Sequence, residues 1–143
     1  MNTLVSGAAV AFALLLAGAA ASHEMAHATA PDAAVKVDFA AAIPNIPGKS
    51  LKTVLVTYPP GGRSPAHTHA KSAFILARVL DGAIVSGVNG QPPRTYHVGD
   101  TWTENPGDHH TASYNASKTR PATLLATFVV DSNDTQLTTP DHH

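Results

Sequence analysis

His67, His69 and His110 are the residues whose types and spacing could do chemistry in this chain. The first two stand one residue apart after Gly61-Gly62-Arg63-Ser64-Pro65-Ala66, and His110 lies just beyond Asn105-Pro106-Gly107-Asp108. Side chains at i and i+2 of a strand leave the same face, so His67 and His69 can converge on one point. A third imidazole from another strand would complete a ligand set for a divalent transition metal. The 143 residues include no cysteine, so neither thiolate ligands nor disulfides are available, and a metal must sit on histidine, carboxylate or water. Glu24 and Glu104 are the only glutamates. If a carboxylate ligates, Glu104 is the candidate, and strand parity decides whether it points inward. His109 should face away from His110, and His97, in Thr95-Tyr96-His97-Val98, reads as an ordinary strand histidine.

The elements that must position these groups read as short strands. Val35 to Phe39, Leu51 to Tyr58, Ala73 to Leu80, Ala83 to Val88, Thr95 to Val98, Thr101 to Thr103 and Thr123 to Val130 are rich in β-branched, apolar and aromatic residues. Turn chemistry separates them: Pro59-Pro60-Gly61-Gly62, Asp81-Gly82, Asn89-Gly90, Val98-Gly99-Asp100 and Asn105-Pro106-Gly107-Asp108. No stretch beyond the first residues sustains helical spacing for three turns. The expectation is an all-β chain forming a single antiparallel jelly-roll β-barrel over residues 35–132. Phe74, Trp102 and Tyr114 are expected as pocket walls, with Arg63 at the mouth to steer an anion.

These residues resemble the cupin superfamily of small jelly-roll barrels. Its first motif, G-x5-H-x-H-x(3,4)-E-x6-G, is matched by Gly61, His67, His69 and Gly82, and its second, G-x5-P-x-G-x2-H-x3-N, by Gly99, Gly107 and His110. Where the family's glutamate should fall the chain has Ala73, Phe74 or Ile75, and the span from His69 to Gly82 is longer than the pattern. Pro106 and Asn115 each arrive one residue late. The resemblance implies one mononuclear divalent metal on three histidines, with Fe(II) favoured among Fe, Zn, Mn, Ni and Cu. Three neutral ligands leave the cation's charge uncompensated and favour an anionic, oxygen-bearing small molecule.

Met1 to Ala21 is apolar and small, with an Ala-x-Ala pattern, and reads as a cleaved export signal leading to the periplasm or medium, with no stable membrane anchor after cleavage. Residues 22–34 are expected to be a flexible arm and 133–143 a C-terminal tail, whose terminal histidines, with His23 and His27, would hold metal weakly at most. Lys plus Arg (9) nearly balance Asp plus Glu (10), so neither nucleic acid nor a polybasic membrane contact is supported. The functional expectation is an exported, dioxygenase-like cupin acting on a small oxygen-rich or aromatic compound. The alternative is a non-catalytic cupin module that binds or senses a metal or small molecule. Open edge strands would also permit a homodimer.

Overall fold

The computed structural model describes residues 31–141. The proposed export signal, Glu24, and His23, His27, His142 and His143 lie outside the described residues. Ten strands make up the described chain: β1 (Ala34–Ala42), β2 (Lys49–Tyr58), β3 (His67–His69), β4 (Phe74–Asp81), β5 (Ala83–Val88), β6 (Arg94–His97), β7 (Thr101–Glu104), β8 (His109–Asn115), β9 (Ala122–Asp131) and β10 (Thr138–Pro140). Among the described residues there is no helix.

The strands form two five-stranded antiparallel sheets, ordered β1-β2-β9-β4-β7 and β10-β3-β8-β5-β6. The strand ladder does not run from one sheet into the other, so the expected closed barrel is instead a pair of open sheets in a jelly-roll arrangement. The sheets enclose a shared interior in which Tyr58 of β2 bonds Ser113 of β8 through their hydroxyls, 2.6 Å apart.

Strand parity builds that interior. In β9 the alternation sends Ala122, Leu124, Ala126, Phe128 and Val130 inward, and in β4 it sends Ile75, Ala77 and Val79 inward. The β4–β5 turn needs its glycine: Gly82 has φ +69°, and a Cβ there would come 2.8 Å from the Ala122 methyl and the Pro121 carbonyl oxygen. Strand β1 is exposed along its whole length and leaves Val35, Val37 and Phe39 on the surface of a sheet edge.

Both ends of the described chain are built into the fold. Ala33 donates its backbone N–H to Arg63, whose own N–H bonds Pro31. The tail, expected to be free, contributes β10, which pairs with β3 in the register Thr138↔His69 and Pro140↔His67. The reason is backbone satisfaction: without β10, one side of the short histidine strand would offer its polar groups unpaired.

Candidate metal centre

Strand β3 lies between β10 and β8, with His67 directly opposite His110. Parity turns His69 to the same side as His67. The ring centroids are separated by 4.7 Å (His67–His69), 5.1 Å (His67–His110) and 5.8 Å (His69–His110), and one potential ligand atom from each lies within 4.8 Å of the others. Two rings are held from behind: His67 Nδ1 lies 2.7 Å from the Pro65 carbonyl oxygen, and His110 Nε2 lies 2.8 Å from Ser86 Oγ. These contacts set ring orientation, as outer partners of ligating histidines do. The turn before β8 is pinned as well, since Asn105 N–H donates to the Asp108 carboxylate and the Asp108 carbonyl accepts from His69 N–H.

Glu104 enters the same site from β7 and is only 2% exposed. Its Oε1 accepts a hydrogen bond from the Trp102 indole at 3.0 Å and lies 3.5 Å from His110 Nδ1. Its Oε2 lies 2.8 Å from His69 Nε2, but the two atoms are not aligned as a hydrogen bond. Both ring nitrogens of His69 and Glu104 Oε2 are thus buried without a hydrogen-bond partner. His69 Nε2 and Glu104 Oε2 face only each other, and a bound cation would satisfy Oε2 and the one His69 nitrogen that ligates, relieving a cost on the order of 1–3 kcal/mol for each. These orphaned atoms are the feature that fits a metal.

Electrostatics point the same way. Burial lowers the His110 pKa to about 4, against the opposing pull of Glu104, and burial also lowers His67 despite the Pro65 carbonyl. Both rings are therefore neutral near neutral pH, the state that ligation requires. Burial pushes the Glu104 carboxyl up, but the His69 and His110 rings and the Trp102 N–H together hold it below the usual range.

The cluster opens on a cavity of about 200 Å³. Its walls include Val54, Val56, Ile75, Ala77, Leu124 and Phe128, and Tyr58, Ser64 and Ser113 supply hydroxyls. Ser64 donates to the Tyr58 hydroxyl at 3.3 Å, and burial raises the Tyr58 pKa. Asp32, Ala33, Pro65, Thr138 and Pro140 contribute to the rest of the lining. An engineered cavity of about 150 Å³ admits benzene, so this space suits a compound about the size of a single ring.

Of the expected pocket residues, Trp102 lines the cavity and the other three do not. Phe74 is 44% exposed because β4 turns its odd-numbered residues inward. Tyr114 shares the parity of His110 in the sequence, yet is 39% exposed. A β-bulge explains it: the β5–β8 register slips between Gly87 and Val88, leaving Thr111 as the extra residue and turning Ser113 and Asn115 inward instead. Arg63 sits with Tyr114 and Lys118 in a separate groove on the outside. His109 faces away and pairs with Asp141 at 2.9 Å, and His97 is exposed. Tyr58, Ser86 and Ser113 were missed from sequence, although the alternation Val54, Val56, Tyr58 carried a parity signal for the first.

A two-sheet jelly roll with three clustered histidines is the architecture of a cupin, and a family model described as "Cupin domain" matches residues 54–128. The chain belongs to that family. Among solved structures it is similar to an uncharacterized conserved protein with a double-stranded beta-helix domain from Klebsiella pneumoniae subsp. pneumoniae MGH 78578, with TM-score 0.61 and 13% identity over 78% of this chain and 86% of that one. It is also similar to an oxalate oxidase (TM-score 0.56, 23% identity, 72% of this chain and 53% of that one). DMSP lyase DddQ from Ruegeria pomeroyi DSS-3 matches with TM-score 0.53 and 24% identity over 65% of this chain and 45% of that one. At these identities the likeness concerns the fold. No curated protein matches the sequence significantly.

Proposed function

We propose that this chain is a metal-binding cupin in which His67, His69 and His110 hold one divalent transition metal, Fe(II) favoured, and present it to a small oxygen-bearing ligand in the adjoining cavity. The observation that carries this reading is the convergence of one ligand atom from each of three imidazoles, with buried His69 making no aligned hydrogen bond and the other two rings oriented from behind. A metal there would supply Lewis-acid polarisation of a chelating oxygen and, in the case of iron, an electron path to dioxygen. The protein's own part is positioning. The apolar walls exclude water and strengthen every charge interaction at the histidine end, and the tight volume holds a small compound against the rings. Tyr58, Ser64 and Ser113 can exchange hydrogen bonds with a polar group on the ligand.

Within this reading we favour an exported, dioxygenase-like activity on a small oxygen-rich or aromatic compound; an oxalate oxidase and a DMSP lyase share the fold. Metal content of the untagged protein, followed by dioxygen uptake across diketones, catechols, flavonols and thiols, tests the proposal. One metal per chain with uptake on one of these compounds is expected. Stoichiometric metal with no turnover on any of them would leave a binding module, and absence of metal would refute the centre itself.

A further inference from the structure

The fourth side chain at the cluster comes from an unexpected strand. Ala73, Phe74 and Ile75 occupy the stretch where the motif would put a glutamate, and Ile75 points into the cavity. Ile75 is the direct cross-strand partner of Glu104. Side chains so paired leave the sheet on the same face with Cβ atoms roughly 4.5–5.5 Å apart, so a carboxylate at 104 reaches the space that one at 75 would have filled.

Its atoms are disposed for ligation. Oε1 is occupied by the Trp102 N–H at 3.0 Å, which fixes the carboxylate plane, whereas Oε2 is buried and has no hydrogen-bond partner. Two donors at about 2.1 Å from one cation are about 3.0 Å apart at the right angle of an octahedral site and about 3.4 Å apart at the tetrahedral angle. The 2.8 Å between Glu104 Oε2 and His69 Nε2, unaligned for a hydrogen bond, is close to the spacing of adjacent ligands. We infer that Glu104 is a fourth, anionic metal ligand, delivered across the sheet from β7 in place of the side chain that Ile75 cannot supply. This rests on the three-histidine reading above. The complete set carries one negative charge, so a divalent cation in it keeps a single net positive charge. The centre would therefore select a monoanionic or neutral chelating oxygen compound over a dianionic one.

The test uses the full chain stripped of metal and titrated with Co(II), and with Zn(II) against a competing chelator. Trp102, the only tryptophan in the chain and bonded to Glu104, reports through its emission. Glu104→Gln keeps the shape and an oxygen for the indole N–H but removes the anionic donor. We expect Zn(II) affinity to fall by roughly 100-fold, the visible Co(II) bands to change, and the zinc-induced change in Trp102 emission to vanish. If Glu104→Gln retains the wild-type Co(II) spectrum, whether or not affinity falls, the carboxylate orients the histidines and is not a ligand. His69→Ala, run alongside, must lose metal in that case, which leaves the three-histidine centre standing. A wild-type chain that binds neither metal overturns both readings. Should Glu104→Gln fail to fold, Glu104→Ala with added formate replaces it: recovery of the wild-type Co(II) spectrum supports ligation, and no recovery overturns it.

Discussion

Acidifying the metal-free protein should destabilise it through His110, by an amount that follows from the burial of that ring. Burial gives this ring a folded-state pKa of about 4. In the unfolded chain it returns to about 6.5. Because the folded value is the lower one, the unfolded state binds more protons between the two, and stability falls as pH falls through that window. Stability from this group is complete above the unfolded value and is fully lost below about pH 4. Integrated from about pH 7 to about pH 5, the linkage amounts to roughly 2 kcal/mol, a factor of about 30 in the folding equilibrium. His67, also lowered by burial, adds in the same direction, and Glu104, held below the usual carboxylate range, extends the loss to lower pH. Urea titrations at the two pH values in the presence of chelator give the difference directly. His110→Gln, which keeps a polar group opposite Ser86 but cannot titrate, should remove most of it. A variant whose stability still falls by the full amount would refute the assignment to His110.

Substituting His67, His69 or His110 by Ala should each abolish stoichiometric metal at micromolar concentration, whereas His97→Ala and His109→Ala should retain it; elemental analysis after dialysis decides. Phe128→Ala removes a buried ring that packs edge-on against His69 at 5.8 Å and forms part of the cavity wall. It should cost roughly 3 kcal/mol in urea unfolding and let a larger ligand in. Mass spectrometry of the exported fraction should find a mature chain starting near Ser22; a cytoplasmic protein that keeps Met1 would contradict export.

The strands rich in Val, Ile and Leu could be read from the sequence because their turns are marked by Pro, Gly and Asn, and their observed bounds differ by a residue or two in most cases. His67 and His69 needed only parity. Strands β3 and β10 have three residues each, and β8 is built largely of small and polar residues, so propensity did not mark them. Phe74 could have been placed correctly, since Arg78, the charged residue in the middle of β4, shows that even positions there face outward. Trp102 likewise implied an inward Glu104, two residues on. The bulge at Thr111 left no trace in residue types, so the inward turn of Ser113 and the outward turn of Tyr114 emerged only from the three-dimensional register.

The pairing of β10 with β3 bears on the order in which the molecule is assembled. His69 takes its strand partner from roughly seventy residues downstream, and His67 is opposite a residue more than forty positions away. Contacts so distant in sequence, like those between β2 and β9, carry a loop-closure cost and form late. Little of the binding energy of a cation is therefore available to start folding; it is gained at the last step, as a latch on a chain already collapsed. Chains lacking residues 138–140 would hold His67 and His69 on a frayed edge, so metal loading would follow the pairing of β10 with β3 and would not guide the earlier steps.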